Sequence, residues 1–188
     1  MKKHTERRIN HYSLFLLISL AAFLTACGPK WTESERDGVK IVSNQGGQTL
    51  GYSPESGVTL LTVDRFAFKD LNRNGELDPY EDWRLPAEER AADLASQMSV
   101  EQIAGLMLYS SHQGIPGGGY RGGTTYGGKP FQESGAAPSA LSDQQIEFLT
   151  NDDLRHVLIT SVESPEVAAQ WNNNAQALVE GLGLGIPV

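Results

Sequence analysis

The sequence has 188 residues, enough for one domain of ordinary size, and a formal net charge of −8 at pH 7. So acidic a chain disfavours binding to nucleic acid or to an anionic membrane face, whereas a neutral ligand such as a sugar meets no repulsion. The single cysteine, Cys27, excludes an intramolecular disulfide.

The N-terminus predicts an export signal, residues 1–26, followed by a lipid anchor. Four basic residues precede the apolar run Leu14–Phe23, which is shorter than the ~20 apolar residues that span a bilayer. Leu24–Cys27 then resembles a bacterial lipobox, in which small residues precede a lipidated cysteine; an ordinary secretory signal with a chance cysteine is the alternative. We predict lipidation of Cys27 and a location in the periplasm or at the cell surface, anchored to a bacterial membrane. Removal of the signal takes away a net charge of +3, which leaves −11 on the mature chain.

Residues 27–58 predict a tether and a short β segment. The stretch from Gly28 to about Gly38 is polar, as expected of a tether. From Val39 to Phe68, runs that favour β structure alternate with Asn, Gly, Ser and Pro turn signals, which predicts two to four short strands.

A calcium-type loop is predicted within residues 59–84. The twelve residues Asp70–Glu81 place oxygen-bearing side chains at positions 1, 3, 5, 9 and 12 and a glycine at position 6, which is the spacing of an EF-hand loop. Ca²⁺ takes about 6–8 oxygen ligands, so a loop that holds it presents an oxygen at nearly every second residue. An ordinary Asn/Asp/Gly turn with scattered acids is the alternative. The candidate ligands are the side chains of Asp70, Asn72, Asn74, Asp78 and Glu81 and the backbone carbonyl of Glu76.

The residues before the loop favour a structural ion. Val58–Val63, Phe66 and Phe68 form a β-branched and aromatic, partly alternating sequence, which predicts strand where an EF-hand has its first helix. A loop without its helix pair cannot open a groove when calcium binds. We therefore expect calcium to stabilise the junction between the β segment and the helices that follow.

Two amphipathic helices are predicted after the loop. Pro86 suits the first turn of one helix, and Ser99 with Gln102 forms a capping box for the next. Apolar residues recur at helical spacing in both, and we expect both stripes to be core. They comprise Ala91, Leu94, Ala95 and Met98 in the first helix and Val100, Ile103, Leu106 and Met107 in the second.

The segment Ser111–Pro138 differs in kind, because it contains nine glycines and three prolines. It lacks the spacing of a phosphate-binding loop. Two interpretations remain open: a long mobile surface loop, or a lid that carries Tyr120, Arg121 and Tyr126 over a ligand site.

The C-terminal part alternates helices and strands. Ser142 opens a short helix through Phe148, Arg155–Thr160 predicts a strand, and Ser164 begins the longest helix. Ile186–Val188 predicts the start of a buried strand. The apolar stripe of the long helix comprises Val167, Trp171, Ala175, Leu178 and Leu182.

These residues also carry a family resemblance. The run Val162–Asn173 and the phrase Gly181–Val188 resemble the start of glycoside hydrolase family 3, in particular the β-glucosidase/β-xylosidase branch found among bacterial lipoproteins. The loop, which leads into Tyr-Glu-Asp-Trp-Arg, and the helix Ser99–Tyr109 resemble the N-terminal extension of the same branch. The likeness runs from about residue 66 to residue 188, apart from the glycine-rich segment.

The resemblance implies an α/β fold, in which an N-terminal extension with a calcium-type loop precedes, in residues 85–188, the opening helices and first strand of a (β/α)₈ barrel. It implies retaining hydrolysis of terminal β-linked sugars, with an Asp nucleophile and a Glu acid/base roughly 5 Å apart. Both carboxylates belong to motifs that do not occur in this chain, so no catalytic residue is assigned. Such a barrel needs about 250 residues. We therefore expect a truncated piece, inactive by itself, of an enzyme whose substrate is an oligosaccharide or other β-glycoside.

A non-catalytic calcium-binding lipoprotein, acting as a carbohydrate-binding or adhesion module, is the alternative from another class. Cooperative, calcium-dependent unfolding of the 188-residue chain would favour it, because a complete module unfolds in this way and a barrel fragment does not.

Overall fold

The computed structural model describes residues 28–117 and 124–188, which form a mixed α/β structure. The export signal, the lipidation residue Cys27 and the lid residues Tyr120 and Arg121 lie outside the described residues. Within those ranges the strands form three separate sheets, and no sheet closes into a barrel. None of the described helices combines the length and the apolar character that crossing a membrane requires.

An antiparallel sheet opens the described chain, in the order β1-β2-β3. Its strands are β1 (Trp31–Arg36), β2 (Val39–Asn44) and β3 (Thr49–Tyr52). Asp37 and Gly38 have φ of 52° and 78°, as the two-residue turn of a hairpin requires. The tether predicted from Gly28 to about Gly38 is wrong from Trp31 onward, because all six residues of β1 pair with β2. Their polar side chains suit an edge strand with its faces largely in water.

A second hairpin leads into the predicted calcium loop. It consists of β4 (Thr59–Val63) and β5 (Phe66–Asp70), paired antiparallel. Together with β2 and β3, these strands confirm the short strands predicted in this region. The Asn44 side chain joins the hairpin to the first sheet, since its Oδ1 accepts from Ala67 N at 2.7 Å and its Nδ2 donates to Ala67 O at 3.2 Å.

Trp83 packs the chain that follows the loop against this hairpin. Its ring stacks on Phe68 with 5.2 Å between centroids and meets Phe66 edge-on at 5.7 Å, while Nε1 donates to the carbonyl of Ala67 at 3.0 Å. A Cβ at Gly47 would lie 2.4 Å from the same ring, so only glycine lets the β2–β3 turn approach. The first sheet, the hairpin and the end of the loop therefore pack as one unit.

Two short helices follow, α1 (Ala87–Gln97) and α2 (Val100–Leu106), and their predicted starts are confirmed. Pro86 precedes α1 directly. In the capping box of α2, the Ser99 hydroxyl accepts from Gln102 N at 3.2 Å and Gln102 Oε1 accepts from Ser99 N at 3.0 Å. Both local signals are read correctly from the sequence because each depends only on residues within one turn.

The expectation that the apolar stripes of α1 and α2 are core is wrong for the described chain. No residue of α1 is buried, and Ala91 and Ala95 are exposed. On α2, Val100 and Met107 keep 74% and 80% of their surface exposed. The helical period of the apolar residues identifies the face that would be buried, but it does not show whether another part of the protein covers that face.

The glycine-rich segment Ser111–Pro138 is not one long loop. It contains the strand β6 (Gln113–Ile115) and the short helix α3 (Phe131–Ser134). Tyr126 is buried, with its ring 5.3 Å from that of the first residue of α3, and its hydroxyl oxygen accepts from Gly117 N at 3.0 Å. The buried Tyr126 therefore joins Gly117, which lies just after β6, to α3.

The last helices, α4 (Asp143–Thr150) and α5 (Pro165–Glu180), begin at their predicted caps and build the main core. The predicted stripe of α5 is confirmed. Trp171, Ala175 and Val179 are buried with Ile115 and Leu149, and packed against them are Val167, Leu178 and Leu182, among others.

The strand predictions near the C-terminus need correction. The strand β7 (Ile159–Val162) pairs parallel with β6 and begins later than the predicted Arg155–Thr160, because His156 forms only an isolated bridge. Ile186–Val188, predicted to begin a strand, has no strand conformation. A strand needs a neighbour for its backbone groups, and none pairs with these residues in the described ranges.

A buried polar network joins α5, α4 and β6. Trp171 Nε1 donates to Gln145 Oε1 at 3.0 Å, and Gln145 Nε2 donates to Gln113 Oε1 at 3.3 Å. Gln145 is 1% exposed, and its Oε1 also accepts from Ser142 N at 3.0 Å. One side chain therefore caps α4 and satisfies the buried indole.

We predict that Gln145→Met destabilises the protein by about 2 kcal/mol, because it leaves buried donors without an acceptor at similar side-chain volume. Gln170→Met is the control, since Gln170 is exposed on α5, and should change the free energy of unfolding by less than about 0.5 kcal/mol. Urea unfolding followed by circular dichroism measures both. Equal effects of the two substitutions would contradict the assigned network.

Candidate functional site

The predicted calcium loop begins at the last residue of β5 and returns to it. Asp70 ends the strand and is 3% exposed. Gly75 turns the chain with φ of 80°, a conformation that a Cβ would oppose. A helical turn then brings the chain back, with Glu81 N donating to Asp78 O at 3.0 Å. Loop positions 1 and 12 are consequently both buried at the base of the loop.

Both buried carboxylates accept hydrogen bonds from the loop backbone. Asp70 Oδ2 accepts from Gly75 N at 3.1 Å, which joins loop positions 1 and 6. Glu81 Oε1 accepts from Leu71 N at 2.6 Å, and Oε2 accepts from Asp78 N at 3.2 Å. The two acids therefore set the curvature of the loop. Burial raises the pKa of Glu81, and these backbone donors oppose that rise.

The two asparagines predicted as ligands face Asp78 through their amide nitrogens. Asn72 Nδ2 and Asn74 Nδ2 donate to Asp78 Oδ2 at 2.6 Å and 2.9 Å. Their oxygens serve local turns, with Asn72 Oδ1 accepting from Asn74 N at 3.2 Å and Asn74 Oδ1 accepting from Glu76 N at 2.7 Å. The side chain of Glu76 is exposed. Hydrogen bonds thus join four of the predicted ligand residues, Asn72, Asn74, Asp78 and Glu81, and the backbone N–H of Glu76 joins them through Asn74. Asp70 is bonded separately, to Gly75 N.

Two buried side-chain oxygens of the loop form no hydrogen bond within the described residues. They are Asp70 Oδ1 and the hydroxyl of Tyr80. Burial, followed by the nearby Glu81 carboxylate, raises the pKa of Tyr80 far above its ordinary value. An unpaired buried carboxylate oxygen costs free energy unless a hydrogen-bond donor or a cation reaches it.

The carboxylates of the loop are not assembled into a ready metal cluster. In residues 28–117 and 124–188, no group of three or more His, Cys, Asp or Glu side chains is arranged to hold a metal ion. Any cation at the loop therefore depends on amide and backbone oxygens as well as on Asp70, Asp78 and Glu81.

Two arginines with no predicted role lie in the loop and just after it. Arg84 donates to Asp82 from Nε at 2.9 Å and from Nη2 at 2.7 Å, and its hydrogen bond lowers the pKa of that carboxyl. Arg73 Nη2 donates to the carbonyls of Ser56 at 2.8 Å and Gly181 at 2.6 Å. The Asp82–Arg84 spacing is a local signal, whereas nothing in the sequence points to a contact between residues 73 and 181.

No family model matches the chain. The chain is 39% identical over 133 residues to a periplasmic beta-glucosidase/beta-xylosidase of Dickeya chrysanthemi, an alignment that covers 70% of this chain and 18% of the relative. The chain is therefore a homologue of a β-glycosidase, which confirms the resemblance read from the sequence and is consistent with a segment of a glycoside hydrolase family 3 member. It spans about a fifth of the length of that relative.

We predict that Glu81→Ala lowers the free energy of unfolding by about 2 kcal/mol in the presence of a chelator, because buried backbone N–H groups of the loop lose their acceptor. Glu76→Ala, on the same loop but with an exposed side chain, should cost less than about 0.5 kcal/mol. Chemical unfolding of the two variants makes the comparison. A neutral Glu81→Ala substitution would show that Glu81 does not shape the loop.

Proposed function

We propose that the chain is the N-terminal part of a retaining glycoside hydrolase that removes terminal β-linked sugars from oligosaccharides or other β-glycosides. The observation that carries the proposal is the 39% identity to a protein named as a periplasmic beta-glucosidase/beta-xylosidase. The matching location for this protein is the periplasm or the cell surface, with a lipid anchor at Cys27.

The proposed place of the described residues is the opening of a (β/α)₈ barrel and the extension before it. Support comes from the parallel pairing of β6 and β7 across a connection that contains α3 and α4, since parallel neighbours joined through helices are the unit from which such barrels are built. The exposed apolar stripe of α2 would then be a face that the rest of the barrel domain covers.

The protein expressed from its gene should hydrolyse p-nitrophenyl β-glucoside or β-xyloside, leave the α-anomers intact, and release the sugar first as the β-anomer. A 2-deoxy-2-fluoro-β-glycoside should label a carboxylate that lies outside residues 28–188, because a retaining enzyme forms a covalent intermediate. Residues 28–188 by themselves should be inactive. Release of the inverted sugar, or labelling of an acid within residues 28–188, would contradict the proposal.

The proposed role of the Asp70–Glu81 loop in this enzyme is to hold a structural calcium ion. The donor set supports it: carboxylate and amide oxygens suit a hard cation, and Asp70 Oδ1 is a buried oxygen without a hydrogen-bond partner. The side chains of Asp70, Asn72, Asn74, Asp78 and Glu81 and the carbonyl of Glu76 would hold the ion. Each asparagine amide carries an oxygen as well as a nitrogen, so a turn of the amide would exchange a donor for a ligand beside Asp78.

Calcium should raise the unfolding temperature of the protein, and Asp70→Asn should abolish most of that increase. Saturation to 100 times the dissociation constant contributes about 2.7 kcal/mol through binding to the folded state alone. Asp37→Asn is the control, because Asp37 is an exposed acid in the β1–β2 turn, and it should keep the full calcium response. The unfolding temperatures of the wild type and both variants, measured with calcium, with magnesium and with a chelator, test this prediction. The same response in Asp70→Asn as in the wild type would contradict the proposed site.

A further inference from the structure

Arg73 connects the Asp70–Glu81 loop to the far end of the described chain. It is the fourth residue of the loop, and its Nη2 donates both to Ser56 O, at the end of a 3₁₀ turn, and to Gly181 O, directly after α5. A single guanidinium nitrogen thus joins three segments of the chain. The contact to Gly181 spans 108 positions in sequence.

Two further contacts run in parallel with Arg73. A Cβ at Gly185, where φ is 63°, would lie 3.0 Å from the Leu71 side chain, so the loop packs directly on the turn that follows α5. Lys69, one residue before Asp70, forms an ion pair with Glu180, whose side chain is 11% exposed. Three contacts of different chemistry therefore join the loop and the end of β5 to the end of α5 and the turn after it: hydrogen bonds to carbonyls, apolar packing and an ion pair.

The position of Arg73 makes it sensitive to whatever the loop binds. It stands between Asn72 and Asn74, two of the candidate ligands, and its own φ is 61°, a left-handed conformation that costs about 1–3 kcal/mol for a residue other than glycine. Such a conformation persists only where its surroundings fix it. Ligation at positions 3 and 5 of the loop would fix the backbone on both sides of Arg73.

We propose that cation binding by the Asp70–Glu81 loop is coupled through Arg73 to the segment Gly181–Val188, so that the ion orders the chain that leaves α5. The inference rests on the proposed calcium site and names what that site controls. Arg73 is a positioning residue here: it holds the turn and does not ligate the ion. The effect would reach the core, because the carbonyl of Ile186 in this segment accepts from the buried Arg155 Nε at 3.0 Å.

The segment contains its own reporters. The amides of Gly181, Leu182 and Gly185 donate to Leu178 O, Val179 O and Leu182 O at 3.1, 3.0 and 2.8 Å. Their hydrogen exchange measures how often the turn opens, because a hydrogen-bonded amide exchanges only when its bond breaks. Hydrogen exchange of these amides therefore measures the coupling, independently of a measurement of ion binding.

The test is hydrogen exchange by mass spectrometry on the full-length protein, with calcium and with a chelator, alongside calorimetric titration with calcium. In the wild type, calcium should slow exchange in residues 181–188 at least tenfold. Arg73→Ala should still bind calcium, within tenfold of the wild-type affinity, but should show less than a twofold slowing. Arg73→Lys keeps the charge without the planar fork and should give an intermediate slowing. Arg36→Ala, at an arginine whose side chain is 85% exposed, should behave as the wild type.

The outcomes separate the two claims. Calcium binding without slower exchange in the wild type, or full slowing in Arg73→Ala, would overturn the coupling and leave the calcium site intact. No calcium binding to the wild type would overturn the calcium site and the coupling with it.

Discussion

The burial of two carboxylates, Asp70 and Glu81, at the base of one short loop is the constraint on which the N-terminal half of the structure depends. Removing a carboxylate from water is costly unless its oxygens are satisfied, and backbone N–H groups of Leu71, Gly75 and Asp78 satisfy three of the four. The chain must fold tightly to supply those donors. The fourth oxygen, Asp70 Oδ1, has no hydrogen-bond partner among the described residues, which supports the proposed cation.

The loop also contacts elements on both sides of it in the sequence. Trp83, two residues past Glu81, packs back on β5, while Arg73 and Leu71 meet the turn after α5. A loop that contacts both the β4–β5 hairpin and the end of α5 fixes their separation, although the two lie more than a hundred residues apart in sequence. This arrangement suits a structural role for a bound ion. The loop is preceded by the β4–β5 hairpin where an EF-hand has a helix, and a structural ion does not require that helix.

Local sequence signals predicted most elements and few of their contacts. The caps at Ser99, Ser142 and Ser164 were readable because each depends on residues within one turn. The β1 strand was missed because its polar residues gain their stability from pairing with β2. The stripe of α2 was expected in a core and is exposed, because periodicity cannot say whether a covering partner is present. The candidate ligand residues follow from spacing alone, whereas the amide orientations of Asn72 and Asn74 and the contacts of Arg73 depend on tertiary geometry.

The proposed cation at Asp70 is tested most directly by a crystal structure of the protein grown with calcium, with anomalous diffraction recorded at a wavelength where calcium scatters anomalously. We predict one anomalous peak about 2.3–2.6 Å from Asp70 Oδ1, with Glu81 and the carbonyl of Glu76 among its ligands. An ordered loop without such a peak, in crystals that contain millimolar calcium, would contradict it.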